Sequence, residues 1–395
     1  MTDVFLVSAV RTPIGRFGGS LKDHSAVDLA SLAMKAALER GGASGAALDF
    51  YVFGNVLRAG QGQLIPRQAA IKAGIPNDVD GLQIDMVCSS GMMAVMNAAA
   101  LIKAGDADLI LAGGTESMTN TGFYVGPGAR WGFKYLAAPE PFVDLMQRDG
   151  LSDPFTSEAM GVQADRVAKE HGIARADIDA VAAESHRRAA HAHEIGHFQG
   201  EIVPVEVRDR KETKTLTVDE GIREGTTAES LGGLRPAFGK EGVLTAGSSS
   251  QISDGASALL VASAAAVEKH GLTPLARFVG GTWSAGEPWR FPEAPVPAAQ
   301  KLLKRIGREV SDFDLFENNE AFALNNLLFE RMLGVPSDRL NVHGGAVALG
   351  HPIGASGARI LTTLVHALRT HDKQAGLAAI CHGTGGGTAV ALERV

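Results

Sequence analysis

The sequence predicts an α/β protein. Short β-branched runs alternate with longer alanine-rich stretches of helical spacing, and this layout occurs once in the first third of the chain and again in the last. The third observation is compositional: 48 glycines stand among 45% hydrophobic and only 6% aromatic residues. Because apolar periodicity persists between the glycines, they read as tight strand-to-helix turns and close backbone approaches.

Taken in order, Val4-Phe5-Leu6-Val7 predicts the first strand. A helix follows from about Ser25 to Arg40, with Ala26, Leu29, Leu32 and Ala33 on one face. Gly81 to Asp85 leads through Cys88 into a small-residue helix ending near Gly105, and Asp108 to Gly114 reads as a buried strand with a glycine stop. The segment from 120 to about 249 carries more charge and turns such as Gly126-Pro127-Gly128, and is expected to be an insertion of helices and loops. Ser253 to Leu260 returns the chain to the first half, giving units 1–119 with 250–272, 120–249 and 273–395. Trp283 to Pro297, with four prolines, is expected as a loop. The second half then repeats the first: a glycine-rich turn after Val342, a helix from about Ser356 to Leu368, and a strand at Gly376 to Ile380.

A chain of 395 residues exceeds one ordinary core. A net charge of −7 gives no basic footprint and argues against nucleic acid as a partner. No apolar run is read as long enough to span a bilayer, and Met1 to Val7 lacks the regions of a signal peptide. Two cysteines make no disulfide framework, so a reducing cytoplasm is expected. His186, His191, His193 and His197 form a histidine-rich stretch. No ligand set accompanies them at structural-zinc spacing, so they are read as an exposed helix and no metal is assigned.

Four constellations carry chemistry. Cys88 lies in Asp85-Met86-Val87-Cys88-Ser89-Ser90-Gly91, where a helix N-terminus favours a thiolate. His351 sits between Gly350 and Pro352, its backbone restricted by the proline. Asn319 and Glu320 lie in Phe316-Glu317-Asn318-Asn319-Glu320-Ala321-Phe322, a pattern that equally fits a helix cap. Cys381-His382-Gly383 opens a glycine cluster whose free N–H groups suit an oxyanion.

With these four motifs in this order, the chain resembles the thiolases from Met1 to Val395. The resemblance implies a five-layered αβαβα fold and a two-step reaction on coenzyme A thioesters, with coenzyme A as substrate and no permanently bound cofactor. By that resemblance His351 takes the proton of Cys88, whose thiolate attacks the acyl carbonyl. Cys381 moves the Cα proton of the second thioester. His351 and a water held by Asn319 stabilise the enolate oxygen, while the N–H groups of Cys88 and Gly383 hold the tetrahedral intermediate. Arg223, Ser230, Ala246 and Ser250 match positions along the adenine and pantetheine path. Leu151 and Met160 match positions near the pantetheine and acyl group. A decarboxylating 3-oxoacyl synthase lacks a counterpart of Cys381; a non-catalytic acyl-CoA-binding protein is the alternative from another class.

Two departures concern the acyl pocket. Ala159 precedes Met160-Gly161 where short-chain members often carry histidine, and Phe291-Pro292-Glu293-Ala294-Pro295 replaces a Met-Gly-x-Gly-Pro loop. The glycine motif is also altered by His382 and Thr384. These changes lead to the expectation of a longer or branched 3-oxoacyl substrate. The segment 121–144 resembles the tetramer-forming loop of the family, so a homotetramer, a dimer of dimers, is expected.

Overall fold

The computed structural model describes residues 2–132, 142–209 and 212–395. Its spine is a mixed sheet. In chain order its main strands are β1 (Val4–Arg11), β2 (Phe50–Gly54), β3 (Asp80–Ile84), β4 (Leu109–Ser117), β5 (Ser253–Ser263), β6 (Ala276–Ala285), β7 (Leu315–Asn318), β8 (Ala375–His382) and β9 (Gly386–Arg394). They are ordered β7-β8-β9-β6-β1-β5-β4-β2-β3. The strands of the first half and those of the second meet edge to edge where Phe5 and Leu6 pair with Arg277 and Ala276. Pairing is parallel at β2–β3, β2–β4 and β7–β8, where helices make the crossovers.

The helices that matter here are α1 (Ala26–Gly41), α2 (Ser90–Ala104), α3 (Met160–Glu170), α4 (Arg175–Glu194), α5 (Pro295–Ile306), α6 (Ala323–Leu333) and α7 (Ile353–Thr370). α1 begins where Ser25 accepts from the Asp28 N–H and Asp28 accepts from the Ser25 N–H. This reciprocal cap is worth about 1 kcal/mol.

Strand periodicity sorts the layers. Along β2, Val52 faces a core shared with α2 and α7, while Tyr51 and Phe53 face the core under α1. Along β8, Ala378 and Ile380 face the same α2/α7 core, whereas Leu377 and Ala379 face α5 and α6. Each sheet half is thus covered on both faces. The layers run α1, sheet, α2 with α7, sheet, α5 with α6, the five-layered arrangement expected.

The central pair of helices touches through glycine. A Cβ on Gly91 would stand 2.8 Å from the Ala358 nitrogen, and one on Gly357 would stand 2.4 Å from the Met92 nitrogen. Gly54 would strike the Gly354 carbonyl and Gly91 nitrogen, each at 2.7 Å. Side chains at these positions would wedge apart the beginnings of α2 and α7.

Two expectations change. Residues 87–104 form a stretch of mean hydropathy 1.4 over 18 residues, long and apolar enough to cross a membrane by composition. It is instead the mostly buried helix between two sheet layers, which explains its apolarity without lipid. Trp283 to Pro297 is not one loop: it holds the end of β6, a 3₁₀ turn (Pro288–Glu293) and the start of α5, because proline suits the first helical turn.

The segment after β4 returns to the first strand through a buried ion cluster. Arg11 Nε donates to Glu201 at 2.5 Å and its two terminal nitrogens meet Asp219 at 2.6 and 2.9 Å, all three side chains fully buried. Removing the cation would leave two buried carboxylates unmatched. Arg11→Ala is therefore expected to lower unfolding free energy by about 3–5 kcal/mol, measured by denaturant titration.

Candidate active site

The turn after β3 sets Cys88. Asp85 accepts from the Val87 N–H at 3.1 Å, and Ser90 Oγ accepts from the Met86 N–H and donates to the Val87 carbonyl. Val87 takes a left-handed φ of 48°, a conformation costing a β-branched residue roughly 1–3 kcal/mol. The turn leaves Cys88 just before the Ser89 N-cap of α2, partly exposed and packed beside Leu57, Leu151 and Ile353. The expectation that the helix end lowers its thiol pKa is not met. Burial pushes it up to about 12, against the opposing Gly383 and Cys88 N–H groups, because displaced water outweighs the dipole of one helix end.

Cys381 stands near the end of β8, 1% exposed. Burial, then charge at the neighbouring Cys88, pushes its thiol well above the ordinary range. Both cysteines are free, so no disulfide joins them. Asn325 on α6 donates to the Cys381 sulfur at 3.6 Å and to the Pro292 carbonyl at 3.1 Å. The 3₁₀ turn of residues 288–293 is thereby held against the second thiol. Gly383 lies two residues on, and a Cβ there would meet the Met160 methyl at 3.4 Å. Leu151 and Met160 thus border the two cysteines.

His351 is 7% exposed, and burial lowers its pKa to about 3, so the ring is neutral. Its tautomer follows from its neighbours. Ser356 Oγ donates its one proton to the Pro352 carbonyl at 2.9 Å and must accept from His351 Nδ1, 2.5 Å away. Nε2 is left with a lone pair, 3.5 Å from the Asn319 amide nitrogen. Arg359 Nη2 donates to Asn319 Oδ1 at 3.4 Å, which turns the Asn319 NH₂ group toward the imidazole. The site therefore holds two thiols, one imidazole base with its proton fixed on the far nitrogen, and the amide and backbone donors around them.

Residues 4–265 match the family model "Thiolase, N-terminal domain" and residues 272–394 match "Thiolase, C-terminal domain". The chain belongs to the thiolase family. It is 62% identical to an acetyl-CoA acetyltransferase of Synechocystis sp. over the whole of both chains. It is 46% identical to one of Escherichia coli, again over both full lengths. The crystal structure of the Bacillus anthracis acetyl-CoA acetyltransferase superposes with a TM-score of 0.97 at 37% identity, covering 100% of this chain and 99% of that one. As a thiolase the protein is an acyltransferase whose substrates are coenzyme A thioesters.

Several residues that support this site have no role assigned from the motifs. Ser356, Asn325 and Arg359 orient His351, Cys381 and Asn319 from positions on α6 and α7. Glu320, fully buried, accepts from Ser185, Asn326, Asn341 and the Val347 N–H, so it ties α4 to the loop that precedes His351. Glu116 at the end of β4 accepts from the N–H groups of Val56, Leu57 and Gly354 and from Asn55, anchoring the start of α7. Only the Gly-His-Pro-x-Gly spacing hinted at Ser356, since i and i+5 meet across the first turn of a helix. Ser356→Ala should lower kcat roughly 10- to 100-fold, within the range of a misdirected general base. Because the role is positional, the acid limb of the kcat/KM profile should move as well; an unchanged profile would assign Ser356 to packing alone.

The residues matched to coenzyme A binding are spread more widely. Arg223 and Ser230 are exposed, as is Ala246, and Ser250 is half-buried. Arg223 lines an open cleft of about 940 Å³ between α4 and residues 223–228. Ser250 sits against the Asn319–Phe322 motif, its N–H donating to the Ala321 carbonyl at 3.0 Å. The histidine-rich stretch departs from expectation: His186 is 3% exposed rather than on a solvent face, and its Nδ1 accepts the Arg223 N–H at 3.1 Å. Burial lowers its pKa to about 4, keeping that acceptor free.

Proposed function

We propose that this thiolase joins two molecules of acetyl-CoA into acetoacetyl-CoA and free coenzyme A, and runs the reverse thiolysis. The observation that carries the reading is the convergence of two unpaired thiols and a neutral imidazole with a free Nε2. His351 Nε2 accepts the Cys88 proton as the sulfur attacks the acetyl carbonyl, and the imidazolium returns that proton to the departing coenzyme A sulfur. The Cys88 and Gly383 N–H groups face the oxyanion of this intermediate; losing one such donor costs about 2.7–4 kcal/mol. Cys381 gives its proton to the neutral His351, and its thiolate then takes the Cα proton of the second acetyl-CoA. The carbanion attacks the acyl-Cys88 carbonyl and expels the Cys88 thiolate, which recovers a proton from the His351 imidazolium. The Asn319 amide, aimed by Arg359, stands beside His351 where the enolate oxygen develops negative charge. A decarboxylating mechanism would leave Cys381 without a task.

The names of the two full-length relatives support a short acyl chain over the longer or branched one expected from Ala159 and residues 291–295. The packing does so too: Phe291 is 2% exposed against Phe322, and the turn that follows is pinned by Asn325. Arg223, Ser230, Ala246 and Ser250 are proposed to receive coenzyme A, with Leu151 and Met160 beside its pantetheine end. A thiolysis panel from acetoacetyl-CoA to 3-oxodecanoyl-CoA tests the substrate. Highest kcat/KM on the four-carbon substrate is expected; a maximum at a longer or branched chain would overturn the short-chain reading.

We also propose a homotetramer and a cytoplasmic location. Within segment 121–144, residues 133–141 lie outside the described residues. At its described ends Phe123, Trp131 and Phe142 are 64, 74 and 77% exposed, an apolar surface suited to subunit contact. Light scattering that returned a monomer mass would remove the tetramer. The cytoplasmic reading rests on the two thiols being free.

A further inference from the structure

Away from the thiols, three histidines distant in sequence converge. His197 follows the end of α4. His343 lies in the segment between α6 and His351, and His371 caps the C-terminus of α7. Their ligand nitrogens all lie within 4.8 Å of one another. His343 Nε2 is 2.9 Å from His197 Nδ1 and 3.0 Å from His371 Nε2.

Hydrogen bonding does not account for both contacts. An imidazole nitrogen carries in its ring plane either one proton or one lone pair, so Nε2 of His343 serves one neighbour and not two. Its other nitrogen, Nδ1, is buried and has no partner among the described residues. Three ring nitrogens within 4.8 Å of one another, each able to offer a lone pair to one shared ion, do account for the arrangement. Zn–N bonds of 2.0–2.1 Å hold tetrahedral ligand nitrogens about 3.3 Å apart, close to the two spacings seen here.

We propose that His197, His343 and His371 form a binding site for one divalent transition ion, zinc being the best match, with water in the fourth position. Three neutral nitrogens and no carboxylate suit zinc, copper(II) or nickel(II) and not magnesium or calcium. A ligand ring must be neutral to bind, and burial lowers the pKa of His343 to about 3 and also lowers those of His197 and His371. The nearby Arg11 cation is matched by Glu201 and Asp219. His371, the exposed member, borders an open cleft of about 530 Å³, which gives the ion a path in. The site would fasten the segment after α4 to the loop that leads to His351, with His343 eight residues before the base. Its role is to hold that loop, and it takes no part in acyl transfer.

Untagged protein stripped with chelator and dialysed against zinc chloride tests this by metal analysis. About one zinc per chain is expected, retained in Cys88→Ser and reduced at least tenfold in His371→Ala, a change at an exposed position. Zinc should also raise the Tm of the wild type and not that of His371→Ala. His197→Gln gives an independent second loss should the first variant misfold. Wild-type stoichiometry in both histidine variants, or none in the wild type, would overturn the proposal. So would cobalt(II) giving a thiolate charge-transfer band that disappears in Cys88→Ser, since that would put the ion at the catalytic thiols.

Discussion

Cys88→Ala is expected to show no acetyl adduct by intact mass after mixing with acetyl-CoA, where the wild type gains one. Turnover should fall by roughly 10⁴-fold or more, the loss typical of removing a nucleophile that works as part of a unit. Cys88 has the turn of residues 85–90 to expose it, the Gly383 N–H to meet its charge, and the raised thiol pKa that makes a base necessary. A thiol pushed up to about 12 is almost wholly protonated at neutral pH, so attack must be coupled to proton removal by the neutral His351. An adduct surviving in the alanine variant would move the nucleophile elsewhere.

Cys381→Ala should give the complementary result. The acetyl adduct on Cys88 is expected to form at near wild-type stoichiometry, while condensation and thiolysis fall by about 10²- to 10⁴-fold, the usual contribution of a positioned base. Exchange of the acetyl-CoA methyl protons with deuterated solvent should stop in the same variant. Retained condensation would show that the Cα proton leaves by another route. The second thiol resists ionisation more than the first, because it is deeper and feels charge on Cys88.

The strands and long helices were legible because each strand of the central sheet is flanked by different layers, so its apolar residues alternate cleanly between two cores, as Val52 does with Tyr51 and Phe53. Cys88, His351 and Cys381 stood out because each lies close to glycine or proline, whereas Asn319 and the proposed roles of all four came from the resemblance to the thiolases. Their partners did not stand out. Ser356, Asn325 and Arg359 look like ordinary helix residues, and only the packing of α6 and α7 against the ends of β7 and β8 gives them their tasks. The pKa of Cys88 ran opposite to the local reading, because a helix dipole is visible in sequence and the atoms that exclude water are not. His186 escaped for a related reason: its neighbour Arg187 is exposed on the same helix, and a single turn separates solvent from core. The apolarity of residues 87–104 records the two halves of the sheet packed on one helix, which hydropathy alone does not distinguish from lipid.

The glycine contacts between α2 and α7 have a consequence for how activity depends on assembly of the chain. Cys88 is carried by the first half, while His351, Asn319 and Cys381 are all carried by the second. The proposed reacting groups are therefore held in register across the seam where Gly54, Gly91, Gly354 and Gly357 let backbone rest on backbone. A methyl group at that seam would act like a shim in a hinge, opening the gap between nucleophile and base without touching either. Turnover in this protein is accordingly a gauge of the joint. Neither half alone owns a working reaction centre, and damage confined to the joint would silence the enzyme while every catalytic side chain was still present.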